Sequence, residues 1–316
     1  MSAPQPNPAG SAAVAENGPA TFRRYLRERF GGRVLKVSLG AGFSCPNRDG
    51  TLGYGGCTFC DNRAFSPALI DSAPAVTRLR RTIDATRRRY RWYLPYLQPF
   101  SNTWGSVDAL RGVYEPLLAM PGVIGLAIGT RPDCFLPGVH DYLAELAQRT
   151  FLVVEVGLQS AHNCTLEHLN RRHTVEQFVS CIRQLRTGGS YTVAHVMLGL
   201  PGEGEAEMMA TARRLASLPV CGVKLHQTMV IAGTGLENEY RASLFEPLSL
   251  EQYRVLAGRF VSLLRPDQHL HRLYARSTIA QGLIAPLWSE GGPDVHLSIQ
   301  RAVREMCQAR GVAGEP

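Results

Sequence analysis

Three of the eight cysteines lie close together, and their spacing suits metal chemistry. Cys45, Cys57 and Cys60 follow the pattern C-x11-C-x2-C. Thiolates bind zinc and iron–sulfur clusters, whereas cysteines scattered singly along a chain usually behave as small buried hydrophobic residues. The scattered cysteines here are Cys134, Cys164, Cys181, Cys221 and Cys307. The group of three therefore predicts a metal or redox site rather than a disulfide framework.

The number of candidate ligands favours an iron–sulfur cluster over a structural zinc ion. Structural zinc sites use four protein ligands, and no histidine occurs between residues 31 and 139. Three thiolates can hold a [4Fe–4S] cluster and leave one iron open. Glycines at positions 50, 53, 55 and 56 allow the backbone to fold tightly around it. A zinc-stabilised scaffold without enzymatic activity, binding RNA or a protein, is the alternative.

The rest of the chain predicts the framework that must position these cysteines. Short apolar runs alternate with amphipathic segments, at residues 34–39, 93–100, 123–129, 151–157, 191–200 and 222–230. Six such βα units predict an α/β fold, a partial (β/α)6 TIM-like barrel, with a doubly wound sheet as the alternative. Either fold places its active site at the carboxyl ends of the strands, and the cysteine loop directly follows the first strand.

Composition divides the chain into three predicted parts. Residues 1–20 are small, polar and rich in proline and glycine, which predicts a disordered tail. Residues 21–264 form the core, and residues 265–316 form a short C-terminal extension packed on it. No apolar run approaches the length of a bilayer span, and the start lacks the features of a secretory signal. We therefore expect a cytoplasmic protein that does not enter a membrane.

The charge of the chain permits an acidic partner. The formal net charge is +8 at pH 7, and residues 78–91 (RLRRTIDATRRRYR) alone contain seven arginines. Such a stretch is either a solvated helix face or a surface that contacts RNA. Charge alone does not separate these two interpretations.

The cysteine loop and several later motifs resemble those of radical S-adenosylmethionine (SAM) enzymes. The motif SCPNRDGT…GGCTFC is similar to that of a YhcC-like bacterial branch, which is related to the elongator-type and methylthiotransferase-type radical SAM proteins. The widespread spacing is C-x3-C-x2-C, and the longer first gap is shared with the elongator-type branch. The resemblance covers residues 21–288, and its later motifs are GTRPDC at 129–134, EVGLQSAHNCTLEHLNRRHT at 155–174, GLPGE at 199–203, GVKLHQTMVIAGTGL at 222–236 and LIAPLW at 283–288.

The resemblance implies the cofactors and the reaction. A [4Fe–4S] cluster on Cys45, Cys57 and Cys60 would bind SAM at its open iron. One electron from an external reductant of the flavodoxin or ferredoxin type would cleave SAM to methionine and a 5′-deoxyadenosyl radical, which abstracts hydrogen from the substrate. Related branches suggest RNA, in particular tRNA, as that substrate. Because no appended RNA-binding domain is recognisable, a small molecule or cofactor precursor is the alternative.

The resemblance also implies SAM contacts near the cluster. Phe59 holds the aromatic position just before the last cysteine. Asn102 and Thr103 follow the second strand, where the family has its contact to the SAM amine. A turn after the fifth strand resembles the one that receives adenine. That turn consists of Gly199, Leu200, Pro201 and Gly202.

Two arginines are candidates for the same cofactor site. Thr130 and Arg131 end the third strand and are expected to contact SAM or substrate, although an ion pair between Arg131 and Asp133 would also explain them. Arg171 resembles the family arginine that meets the SAM carboxylate, and we prefer it to Arg172.

Polar residues inside two apolar strands complete the expected site. Glu155 lies within FLVVEVGLQS, where an unpaired buried carboxylate would be costly. The resemblance implies that it meets the SAM ribose or amine, with Gln159 and Ser160 as further contacts. Lys224 and His226 are two residues apart in a strand and therefore face the same side. Facing inward they are candidates for substrate contact or proton transfer, and facing outward they form a solvated strand surface.

Overall fold

The computed structural model describes residues 19–65 and 73–313 of the 316-residue chain. Residues 1–18, which make up most of the predicted disordered tail, lie outside the described residues. The described residues form a parallel sheet with helices on its outer face. The predicted α/β partial barrel is therefore confirmed.

The strands alternate with helices along most of the chain. The strands are β1 (Val34–Leu39), β2 (Trp92–Leu97), β3 (Gly125–Thr130), β4 (Phe151–Gln159), β5 (Tyr191–Leu198), β6 (Gly222–Gln227), β7 (Val230–Ile231), β8 (His269–Arg272) and β9 (Leu283–Ala285). Within the described residues, seven of them form one parallel sheet in the order β1-β2-β3-β4-β5-β6-β8. The antiparallel pair β7-β9 forms a second, small sheet.

The seventh strand of the barrel comes from the segment predicted as the C-terminal extension. β8 has only four residues, HLHR, and it pairs with β6 through partners such as Val223 and Leu270. A strand this short with three polar side chains gives little apolar signal, so the sequence predicted six units instead of seven. The division of the chain at residue 264 stays a prediction.

Helices pack on the outer face of the sheet and at the ends of the barrel. They are α1 (Phe22–Phe30), α2 (Asn62–Phe65), α3 (Ala75–Thr86), α4 (Val107–Leu118), α5 (Val139–Arg149), α6 (Asn163–His168), α7 (Val175–Thr187), α8 (Glu205–Ala216), α9 (Gly235–Arg241), α10 (Leu250–Ser262) and α11 (Pro293–Ala313). Across the described ranges, none combines the length and apolar character needed to span a bilayer.

Helix α7 shows how local sequence determines an element boundary. The Thr174 hydroxyl accepts a hydrogen bond from the Gln177 backbone N–H at 3.3 Å, and the Gln177 side chain accepts one from the Thr174 N–H at 2.8 Å. This reciprocal capping box satisfies two N–H groups that the first helical turn leaves unpaired. Phe178, Ile182 and Leu185 then recur on one buried face, which packs against the sheet.

The inside of the barrel is apolar toward the amino ends of its strands. Phe22 of α1 stacks on His271 with ring centroids 3.8 Å apart, and its centroid lies 5.4 Å from that of Tyr191. Phe22 and Leu26 belong to one buried cluster with inward residues of four strands, namely Leu94, Tyr96, Ala127, Val153, Tyr191 and Val193. Helix α1 therefore closes this end of the barrel.

The last part of the arginine-rich stretch, residues 87–91, lies toward the amino ends of the strands. Arg91 directly precedes β2 and Arg33 directly precedes β1, whose first residues, Val34 and Trp92, are register partners. Six of the seven arginines of the stretch are exposed. The cysteine loop leaves β1 at its other end. A ligand bound near Arg91 would therefore lie at the amino ends of the strands, whereas the cysteines lie at their carboxyl ends.

Truncating Phe22 should destabilise the barrel. We expect Phe22→Ala to lower the free energy of unfolding by about 3–5 kcal/mol, because it leaves a cavity beneath His271 and Tyr191. The matched control is Arg23→Ala, an exposed change on the same helix, with an expected effect within about 0.5 kcal/mol. Denaturant unfolding followed by circular dichroism measures both. Equal losses in the two variants would contradict the closing role of α1.

Candidate active site

All three cysteines of the C-x11-C-x2-C motif lie on the loop of residues 40–61, between β1 and α2. Backbone hydrogen bonds fold this loop on itself, including Arg48 N–H to the Cys45 carbonyl at 2.8 Å and Cys60 N–H to the Cys57 carbonyl at 3.0 Å. Gly56 has a φ of +80°, and a Cβ there would meet the Arg48 side chain at 2.9 Å. Cys57 is buried, Cys45 and Cys60 are partly exposed, and all three line one cavity.

The sulfur of Cys57 is surrounded by nitrogen donors. Arg171 Nη1 lies 3.3 Å from Sγ, Asn47 Nδ2 lies 3.5 Å away and Arg131 Nη1 lies 3.8 Å away. Burial raises the pKa of the Cys57 thiol, but the charges of Arg171 and Arg131 outweigh burial and leave this pKa lowered. Burial and the neighbouring Cys57 raise the pKa of Cys60 to about 12. The loop therefore favours a thiolate at Cys57 first.

This donor set fits an iron–sulfur cluster better than a single zinc ion. Within residues 19–65 and 73–313, no three His, Cys, Asp or Glu side chains are close enough together to hold one metal ion. A cubane receives each thiolate at a different iron, so its ligands need only line the same cavity. A thiolate-bound cluster is anionic, and N–H groups aimed at its sulfurs stabilise it. Arg48, Arg131 and Arg171 supply such groups, with Arg48 Nη1 3.8 Å from Cys60 Sγ.

Both predicted arginines line the cavity. Arg131 forms a bidentate ion pair with Asp133, with Nε–Oδ1 and Nη2–Oδ2 distances of 3.0 and 2.7 Å, so the alternative interpretation of this pair is observed. Arg171 is buried and donates to the Gly157 carbonyl at 2.8 Å. Arg171 makes no ion pair within the part of the chain that the structure describes. Arg172 is exposed and does not line the cavity.

The polar residues that end β3 and β4 divide into two groups. Thr130 and Gln159 line the cavity, and Gln159 adopts a left-handed φ of +75°. Ser160 is buried outside the lining, where its hydroxyl hydrogen-bonds to Glu203. Of the three, only Thr130 and Gln159 are therefore placed to contact a molecule in the cavity.

The loop after β2 differs from the expectation. The Asn102 amide donates to the backbone carbonyls of residues 97, 99 and 129 at 2.9–3.1 Å. The Thr103 hydroxyl bonds to the Cys134 carbonyl and to Thr130. Both side chains are fully buried and serve the loop, because carbonyls at strand ends need donors. The loop presents Phe100 and Ser101 to the cavity instead of Asn102 and Thr103.

Phe59 lines the cavity beside Arg171, whose Cζ lies 6.0 Å from the ring centroid. Behind Phe59, Leu200 packs in a small apolar cluster with Met197 and Leu236. The turn predicted to receive adenine directly follows β5 but does not itself line the cavity. Its residues are Gly199, Leu200, Pro201 and Gly202.

Charged and imidazole side chains within the strands form the floor of the same cavity. We call them the floor cluster: Lys36, Glu155, His195, Lys224, His226 and Arg272. They project from β1, β4, β5, β6 and β8. All of them line the cavity except Lys36, which contacts the cluster through Glu155. Lys224 and His226 therefore face inward, which resolves the alternative that the sequence left open.

The carboxylate of Glu155 is the centre of the floor cluster. It is fully buried; Lys36 pairs with Oε1, while Lys224 Nζ and His195 Nε2 lie 2.8 and 2.7 Å from Oε2. Burial alone would raise the pKa of Glu155, but the charges of Lys224 and Lys36 hold it well below its usual range. His271 Nδ1 lies 3.5 Å from Oε1 as a fourth partner. The carboxylate is therefore ionised and both of its oxygens already have protein partners, and its predicted SAM contact stays a prediction.

The imidazoles around Glu155 are neutral near pH 7. Burial lowers the pKa of His195 to about 3 and that of His271 to about 4, even though Glu155 opposes both shifts. Burial and the nearby Arg272 hold the pKa of His226 well below its ordinary value. These rings therefore act as hydrogen-bonding groups and add no positive charge to the floor.

Three members of the floor cluster escaped the sequence prediction, namely Lys36, His195 and Arg272. Lys36 is a lone charge in the apolar run VLKVSL, the same signal that singled out Glu155, and pairing lone charges between strands would have found it. Arg272 belongs to β8, which the sequence assigned to the C-terminal extension. No sequence signal placed that segment inside the barrel.

The chain is similar to known proteins over most of its length. The chain matches the Radical SAM superfamily over residues 45–215 and the Radical_SAM C-terminal domain over residues 220–305. It is 38% identical over 273 residues to the uncharacterized protein YtqA of Bacillus subtilis, covering 85% of this chain and 84% of that protein. It is 34% identical over 292 residues to protein YhcC of Escherichia coli, covering 92% of this chain and 94% of that protein.

A solved structure shows the same fold. The archaeal Methanocaldococcus infernus Elp3 with an N-terminal deletion superposes with a TM-score of 0.65 at 16% identity, covering 88% of this chain. This chain spans 63% of the length of that structure. Because the superfamily match covers residues 45–215 and the two bacterial relatives align over most of their length, this chain belongs to the radical SAM superfamily.

Proposed function

We propose that this enzyme cleaves SAM reductively at a cluster held by Cys45, Cys57 and Cys60, and abstracts hydrogen from a substrate bound inside the barrel. The observation that carries the proposal is that one cavity is lined both by the three thiols and by five of the six members of the floor cluster. When bound, the cluster and SAM supply the one-electron cleavage that yields a 5′-deoxyadenosyl radical. A flavodoxin or ferredoxin suits the role of external reductant, because each carries single electrons.

The backbone at Gly157 supports a cofactor between the cysteines and the floor cluster. Gly157 lines the cavity, and a Cβ there would meet Gln159 Nε2 at 2.7 Å and Arg171 Nη2 at 3.0 Å. Glycine therefore keeps both polar groups close to bare backbone. We assign SAM contacts to Phe59, Thr130, Gln159 and Arg171, and a supporting role to Ser160 and to the turn after β5.

The arginines on the cysteine side orient and stabilise the charged groups of the site. Arg171 is fixed by its bond to the Gly157 carbonyl and donates to Cys57 Sγ, so its charge is held beside the cluster ligand. Arg131 reaches the same sulfur, and Asp133 fixes its guanidinium. We infer that Arg171, which pairs with no carboxylate among residues 19–65 and 73–313, also meets the SAM carboxylate.

A small molecule fits the site better than the expected tRNA. The floor cluster lies inside the strands, where a small molecule fits whole and an RNA could insert only one flipped-out nucleotide, and α1 closes the far end of the barrel. The arginines nearest to β2 lie at the amino ends of the strands, whereas the cysteines lie at the carboxyl ends. We therefore place the small-molecule class first and test tRNA directly.

Removing one cysteine ligand should abolish the cluster. Reconstituted wild-type protein should be brown and hold about four irons and four sulfides per chain. We expect Cys57→Ala to lose most of this iron and all formation of 5′-deoxyadenosine, measured by metal analysis and chromatography. Cys164→Ala, at an exposed cysteine outside the cavity, is the control and should keep both. A colourless wild-type protein with stoichiometric zinc would support the non-enzymatic scaffold instead.

Arg171 should affect both the cluster potential and the rate of SAM cleavage. We expect Arg171→Met to make the cluster potential more negative, because a positive charge and a donor to Cys57 are lost. Loss of a charge-assisted hydrogen bond worth ~1.5–3 kcal/mol should slow cleavage by about tenfold or more. Arg172→Met is the matched control, and Arg171→Lys should restore part of the potential. Unchanged potential and rate in Arg171→Met would refute this role.

The substrate classes are separable by adding RNA to the cleavage assay. We expect total tRNA to leave the rate of 5′-deoxyadenosine formation unchanged, and any binding of tRNA to the arginine stretch to weaken steeply with salt without affecting that rate. Formation that depends on tRNA, and that Arg88→Glu with Arg89→Glu abolishes, would establish the RNA class instead. Rates at low and high salt, with each variant, decide between these outcomes.

A further inference from the structure

The floor cluster contains more positive than negative charge. Lys36, Lys224 and Arg272 are its cations, and Glu155 is its one carboxylate, so two positive charges are in excess when all three are protonated. Burial lowers the pKa of Lys224 to about 7, and Lys36 and Arg272 add to that shift while Glu155 opposes it. Repulsion from the other two cations of the floor cluster therefore disfavours the protonated form of Lys224.

Arg272 is the cation without a counter-charge. Its Nη2 lies 2.8 Å from Nδ1 of the neutral His226, and its Nε is buried without a hydrogen-bond partner in the described part of the chain. Arg272 forms no ion pair there either, and burial lowers its pKa even though Glu155 opposes the shift. Arg272 is half-buried, and a guanidinium withdrawn from water without a carboxylate is costly, so such groups occur where a ligand completes the pairing.

Lys224 has a donor left for the same ligand. Its ammonium group has three N–H donors. One is used by Glu155 at 2.8 Å and another by the Tyr96 hydroxyl at 2.9 Å. Lys224 and Arg272 are register partners on neighbouring strands, and both line the cavity. Two cationic side chains with unused N–H groups therefore stand side by side at its floor.

We propose that the floor cluster binds an anionic group of the substrate, a carboxylate or a phosphate, with Arg272 and Lys224 as its donors. The planar guanidinium of Arg272 suits bidentate contact with either group, and Lys224 adds a point charge. Glu155 is the positioning residue, because it holds Lys36, Lys224 and His195 in place. The inference rests on the proposed function, since it gives the radical a substrate.

The position of the anion subsite sets the orientation of the substrate. The three cysteines line the cavity from the loop that follows β1, whereas Arg272 and Lys224 line it from within the strands. Gly129 and Gly157 also line the cavity, and neither adds a side chain to it. A substrate held by its anionic end at the floor therefore extends toward the cysteines and presents its reacting C–H bond there.

The binding test uses inorganic phosphate and malonate as probes on anaerobic, cluster-loaded protein. Isothermal titration calorimetry should show one site on the wild type. Arg272→Met should weaken binding by about tenfold or more, the loss expected for one charge-assisted hydrogen bond. Arg272→Lys should retain part of the affinity. The control is Arg301→Met, an exposed charge on α11. Preference for one probe identifies the anionic group as phosphate or carboxylate.

A second readout separates ligand binding from a structural role. Arg272→Met should raise the thermal midpoint of the free protein, because it removes an unpaired, half-buried charge. Phosphate or malonate should raise the midpoint of the wild type but not that of Arg272→Met. A destabilised Arg272→Met with unchanged anion binding would show that Arg272 serves only the fold, and would overturn the proposal.

The carboxylate of SAM is the competing anionic group. Saturating SAM should leave the affinity of the cluster-loaded wild type for phosphate and malonate unchanged, since the subsite belongs to the substrate. Competition between SAM and these two probes would assign the site to the SAM carboxylate and overturn the inference. A wild type that binds the probe anions but never cleaves SAM would refute the proposed function and leave the anion site standing. A wild type that cleaves SAM and binds neither anion would refute the anion site and leave the proposed function standing.

Discussion

The ionised carboxylate of Glu155 is the interaction on which the inside of the barrel depends. A buried carboxylate is tolerated only with full compensation, and here Lys36, Lys224 and His195 provide it from β1, β6 and β5. One side chain on β4 thus links strands that are distant in sequence. Removing this carboxylate would leave two ammonium groups close together without a counter-charge. The side chains of the floor cluster therefore depend on one another for their positions.

The same compensation explains the arrangement of charge along the cavity. Arginines stand around the thiols on one side, and the floor cluster carries excess positive charge on the other. Each cationic region suits an anion: the thiolate-bound cluster and the SAM carboxylate near the loop, and the proposed substrate group at the floor. Bare backbone at Gly157 lies between them. The positive charge thus lies at the two places where we propose anionic ligands. Apolar side chains fill the barrel toward the amino ends of its strands.

Local patterns predicted most of the framework, whereas contacts between strands were out of reach. The spacing of Cys45, Cys57 and Cys60, the capped helix after Thr174 and the alternation of strands and helices are all local signals, and the fold they predict is confirmed. Alternation placed Lys224 and His226 on one face but did not say which one, because orientation depends on packing.

The misplaced contacts have the same origin. Asn102 and Thr103 occupy the expected position in the sequence, yet their side chains satisfy backbone carbonyls of their own loop. The pairing of Lys36 with Glu155 spans 119 residues, and Arg272 enters the barrel only because β8 adds to β6. Such partners become visible only when the register of the whole sheet is known.

Helix α1 has a consequence for how the chain reaches its native state. It belongs to the start of the chain but packs against β8, and the Leu270 N–H donates to the carbonyl of Ala20 at 2.9 Å. During synthesis, α1 must therefore wait for almost all of the barrel to emerge before its final partner exists. Until then the apolar interior faced by Phe22 and Tyr191 is open to water at that end. Contacts of such long sequence separation form late and slowly, so the nascent barrel has an extended period in which chaperones or neighbouring chains compete for this surface.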